Sequence, residues 1–114
     1  MGAKYYPNES VRRVLLGVPK GHKHLRLIIE FSDGETLILS EATLANIVRA
    51  YVTVKTHPSI SAVELRCSRV ERRKEGYAEY QLLEVERDQK EIEEEILGIL
   101  ESSQVSGSIS TPVP

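Results

Sequence analysis

The chain has 114 residues, of which 40% are hydrophobic and 28% charged, and its net charge is −2. That length suits one domain of ordinary size, and that apolar content is too high for a disordered polymer. No apolar run approaches the roughly 20 residues that cross a bilayer, and Met1 to Pro7 has no stretch of signal-peptide type, so a cytoplasmic protein without membrane contact is expected.

The charge is unevenly laid out. Six basic residues stand against Glu9 alone from Met1 to Arg26, whereas nine acidic residues stand against Arg87 and Lys90 from Tyr77 to Glu101. Such asymmetry suits a polyanionic partner, or basic-to-acidic contacts within or between chains. Charged residues are abundant while Asn, Gln, Cys and Met are scarce, a mix associated with growth at high temperature.

Residues 1–7 are expected to be flexible. Ser10 to Pro19 reads as a short helix capped by Ser10 and stopped at Gly17-Val18-Pro19, with an edge strand as the alternative. The clearest signal follows. Leu25, Leu27, Ile29 and Phe31 alternate with Arg26, Ile28 and Glu30, and after Ser32-Asp33-Gly34 a second alternation carries Leu37 and Leu39. A three-residue loop with Gly34 in the left-handed position pairs Phe31 with Glu35 and gathers the large apolar residues on one face, so it is preferred over a two-residue loop.

Ser40 then opens a helix whose apolar stripe is Leu44, Ile47, Val48 and Tyr51, and Pro58 ends it by forcing His57 extended. Two further strands are predicted, one with Val63, Leu65 and Cys67 alternating with Glu64, Arg66 and Ser68, the other from Tyr77 to Val85. Asp88 with Glu91 opens a second helix with Ile92, Ile96, Ile99 and Leu100 on its apolar side. Residues 102–114 are rich in Ser, Gly and Pro and read as a flexible tail.

The order β-β-α-β-β-α predicts an α+β fold within residues 8–101. It is drawn as a mainly antiparallel four-stranded sheet with two helices on one face, in the manner of a permuted ferredoxin-like sandwich. Cys67, the only cysteine, reads as a small core residue, since no disulfide is open to it.

Chemistry-bearing patterns are sparse. His22 and His24 lack a third ligand nearby in sequence, so no metal is expected. Glu91 to Glu95 read as a solvated helix face, and Gly17-Val18-Pro19-Lys20-Gly21 lacks the ending of a phosphate loop. No cofactor or catalytic residue is expected. Ile28, Ile38 and Leu83 fall on the open sheet face with only one aromatic, Tyr77, beside them. A mixed apolar surface of this kind suits a second copy of the chain, so a small non-catalytic homodimeric interaction module is the leading expectation. The alternative is a non-sequence-specific binder of DNA or RNA that uses Arg12, Arg13, Lys20, Lys23, Arg72, Arg73 and Lys74.

Overall fold

A computed structural model describes residues 2–71 and 75–105 of the chain. They form two compact units, one built from residues up to Leu39 together with those from Leu97 on, the other from Ser40 to Ile96. The fold is α+β, with two helices, antiparallel sheets and a short parallel pair.

In the first unit a three-stranded antiparallel sheet has the order β2-β3-β4 (Val11–Gly17, Arg26–Phe31 and Thr36–Ser40, whose last residue opens the second unit). The segment expected as a helix is therefore an edge strand, preceded by a one-turn 3₁₀ helix at Asn8–Ser10. The backbone decides this: Val14, Leu15 and Leu16 pair with Ile29, Ile28 and Leu27, and Ser10 gives its carbonyl to the Ser32 amide instead of starting an α-turn. The pairing shifts register between Val11 and Arg13, which makes Arg12 a bulge residue.

The β3–β4 turn follows the sequence. The Phe31 amide donates to the Glu35 carbonyl at 3.0 Å and the Gly34 amide to the Phe31 carbonyl at 3.1 Å. Gly34 takes φ of 92°, the left-handed value that a type I turn with a bulge requires. Asp33 Oδ1 accepts the Glu35 amide, and its Oδ2 accepts from the Tyr6 hydroxyl and the Lys4 ammonium. Tyr6 stacks on Phe31 with ring centroids 3.7 Å apart. Beside these contacts β1 (Lys4–Tyr5) pairs in parallel with β7 (Gln104–Val105). Leu27 and Phe31 are the buried apolar residues of this unit, whereas Leu37 remains exposed.

In the second unit α1 spans Glu41–Thr56, with Ser40 at the N-cap position and His57 extended ahead of Pro58, as the sequence requires. The antiparallel pair β5–β6 (Glu64–Arg69 and Tyr80–Val85) stands as its own two-stranded sheet. The expected single four-stranded sheet is thus not formed, and the ferredoxin-like arrangement goes with it, because β3–β4 bonds to β2 and β5–β6 only to itself. Helix α2 begins at Gln89, where Asp88 Oδ1 accepts the Lys90 amide, and runs to Ser102. Ala62 and Ile92 are the buried apolar residues here.

Candidate functional site

Helix α1 packs along β6 with a polar face. Asn46 is 7% exposed, and its amide nitrogen donates to Gln81 Oε1 at 2.9 Å while its oxygen accepts from Arg49 at 3.0 Å. Gln81 in turn donates to the Ala78 carbonyl. Residues 46, 49, 50 and 53 recur at helical spacing, and Ala50 and Thr53 are small enough to let the helix approach the strand. An open crevice of about 180 Å³ runs beside this contact, lined by Arg49, Ala50, Thr53, Val63, Leu65 and Leu82 among others. That is smaller than the roughly 300 Å³ at which small-molecule pockets begin.

The expected apolar stripe of α1 therefore does not face the sheet. With Asn46 turned inward, the 100° step per residue sends Ile47, Val48, Tyr51 and Val52 to the other side. Their exposures run from 43% at Ile47 to 63% at Tyr51. Leu44 is half-buried. Glu41 and Lys55 are exposed at the two ends of this stripe.

Cys67, expected in a core, is likewise exposed. It sits on β5 opposite Leu82. The alternate positions of the strand, Glu64 and Arg66, are ionic. Glu64 accepts from Arg66 and from Arg87, and Arg87 also meets Glu95 at 2.7 Å and Glu91 at 3.8 Å. The Arg66 guanidinium first, and Arg87 second, hold the Glu64 carboxyl below its ordinary range. Glu91 and Glu95 thus do more than solvate their helix, since they join the turn carrying Arg87 to α2. Ser61 bonds Gln89 and Glu93 and fixes the start of the same helix.

The basic residues split between the units. Arg12 is exposed at its bulge, and Lys20 and Lys23 are exposed at the tip of the β2–β3 hairpin, where Gly21 takes φ of 83°. About 13 Å of strand separates that tip from Arg13. Arg13 makes a two-pronged pair with Glu30, at 2.8 and 3.2 Å, which lowers the Glu30 pKa. Arg26 folds back on the carbonyls of His24 and Leu25. In the other unit Arg69 pairs with Glu79, while Arg72, Arg73 and Lys74 lie outside the described residues.

Ile28 is half-buried on β3 opposite Leu15, and Ile38 is 62% exposed on β4. Leu83 belongs to the second unit, where it lines the crevice beside α1. The four-stranded sheet that was to align these three residues is absent. Among the described residues no group of three or more His, Cys, Asp or Glu is arranged to hold a metal ion, and no helix is long and apolar enough to cross a membrane. His57 has a structural task, accepting the Ser59 amide on Nδ1. The inner face of α1 was missed at the sequence level, although the small and polar residues at 46, 49, 50 and 53 were its signal.

No protein-family model, no curated protein and no solved structure matches the chain.

Proposed function

We propose that this chain is a small homodimeric protein-interaction module. One observation carries the reading: among the described residues no large side chain is fully buried, while nineteen large apolar or tyrosine side chains are 43% exposed or more. A chain of 114 residues that folds alone ordinarily hides about two thirds of the surface its unfolded form exposes. Full burial of a side chain of this size is worth roughly 1.5–3 kcal/mol, so at about half exposure each forgoes a fraction of that, and association recovers part of it. A second copy is the partner always present in equal amount, and a two-fold axis repeats each contact twice.

Nucleic-acid binding through the basic turns ranks second. Arg13 and Arg26 direct donors into their own hairpin and Lys4 pairs with Asp33, whereas Arg12, Lys20 and Lys23 are exposed.

Sedimentation velocity across a dilution series tests the leading reading. A weight-average mass that climbs toward twice the chain mass with concentration supports it. A single monomer boundary throughout would remove it and send the search to oligonucleotides, where binding that weakens steeply with salt would favour the second reading.

A further inference from the structure

The geometry points to the outer edge of β2 as the place where the second copy joins, its own β2 running antiparallel across a two-fold axis at Leu15. The inference rests on the homodimeric reading and adds where and in which register the copies meet.

The backbone leads there first. The Phe31 amide bonds the Glu35 carbonyl on the β4 side, and the Ser32 amide bonds Ser10 on the β2 side. Alternation along an antiparallel strand then turns Ile29 and Leu27 toward β4, and Glu30, Ile28 and Arg26 toward β2. The partners of these last three are Arg13, Leu15 and Gly17, whose N–H and C=O groups bond to β3. Val14 and Leu16 stand opposite Ile29 and Leu27, so their backbone groups turn to the open side, where no strand pairs among the described residues. Unpaired edge groups of this kind fit an extended partner.

The register follows. With Leu15 opposite its own copy, Val14 faces the other Leu16 on each side of the axis, and these are the residues whose groups point outward. Each such pair exchanges two backbone hydrogen bonds, and two three-stranded sheets become one. Centring on Val14 instead would bring the Arg12 bulge into the ladder. Centring on Leu16 would carry the pairing past Gly17, where the strand ends.

The side chains agree with this register. Val14 and Leu16 share the face of Leu27 and Phe31, yet they are 50% and 58% exposed. The second copy sets Val14 against Leu16 twice on that face and Leu15 against Leu15 on the other. Arg13 falls opposite Gly17, which has no side chain to crowd it. Glu9 and Lys20 are exposed, and neither has an ion-pair partner among the described residues. They lie six and five residues from Leu15 in opposite directions, so the two-fold brings each Glu9 toward the other copy's Lys20. That complementarity marks the second copy, over a foreign strand, as the occupant. A strand pair this short covers less than the roughly 800 Å² per copy of a standard interface, so the dimer is of the weak class, with a dissociation constant in the micromolar range.

Cross-linking and proline substitution test the edge and the register. Cys67 is exposed, so the work begins from Cys67→Ser, with circular dichroism confirming the fold and sedimentation velocity reporting assembly of each variant. Leu15→Cys is expected to cross-link to dimer under mild oxidation, because directly opposed residues of a non-hydrogen-bonded pair have Cα atoms about 4.5 Å apart. Val18→Cys is expected to stay uncross-linked, since its two copies lie about 20 Å apart along the strands. Leu16→Pro removes an amide that β3 does not use, so the protomer is expected to fold and the dimer to be lost. Cross-linking at Val18→Cys and not at Leu15→Cys would overturn the register. A native dimer in which neither cysteine cross-links, or a folded Leu16→Pro that dimerises like the native chain, would overturn the edge and leave the homodimer standing. A protein that sediments only as monomer would overturn both and leave the edge to a foreign strand.

Discussion

Glu64 is the residue at which charge and structure are most tightly joined. It takes hydrogen bonds from Arg66 and Arg87, and Arg87 extends the network to Glu91 and Glu95 on α2. Its folded pKa lies below the ordinary carboxylate value, so the ionised form binds the fold better than the protonated form does. The stabilisation is complete above the unfolded pKa and is lost as pH falls through the folded one. Denaturation midpoints should therefore drop between neutral pH and pH of about 3, and Glu64→Gln should narrow that drop. An equal drop in the variant would remove Glu64 from the acid response. Glu30, held low by Arg13, gives the first unit a second contribution of the same sign. Neither arginine pairing was visible in the sequence, because Arg87 and Glu64 stand 23 residues apart and Arg13 and Glu30 stand 17 apart.

Among the elements, α1 shows how far sequence reasoning reaches. Its limits were legible: Ser40 takes the N-cap position, although without a side-chain cap bond, and His57 is extended ahead of Pro58. The β3–β4 turn was legible as well, with Gly34 supplying the positive φ that decides between the two possible loops. The direction in which α1 faces was not. It depends on one bond between Asn46 and Gln81, 35 residues away, and on the small residues that let the strand come close. Replacing Asn46 with Ala leaves Gln81 Oε1 without its donor, and the urea midpoint should report a loss of about 1–2 kcal/mol. An unchanged midpoint would mean that the polar face of α1 does not hold it to β6. The segment Val11–Gly17 was equally open at the sequence level, because a short apolar run satisfies helix and strand alike until a partner strand is present.

At the scale of the whole molecule, the sequence carried the α+β class and the order of the central elements, and it failed on how strands join into sheets. Strand pairing is a non-local choice: β2 pairs with β3, and β5–β6 stands as a pair of its own instead of joining the β3–β4 hairpin in one sheet. The expected interface residues Ile28, Ile38 and Leu83 lost their common face with that sheet. Exposed apolar side chains are nevertheless found on both units, and the proposed association rests on them. The α1 stripe expected to build a core is instead exposed at Ile47, Val48 and Tyr51.

The most direct measurement is sedimentation velocity of the native chain beside Leu15→Glu, from about 5 to 500 µM, a range set by the micromolar affinity of a small interface. Leu15 is exposed on β2, the substitution sets two like charges opposite each other across the axis, and circular dichroism can confirm that the protomer stays folded. Dimer that accumulates with concentration in the native chain and is lost from the variant is the expected result. A native chain that stays monomeric at the highest concentration would contradict the homodimeric reading, and equal self-association of the two proteins would remove Leu15 from the contact.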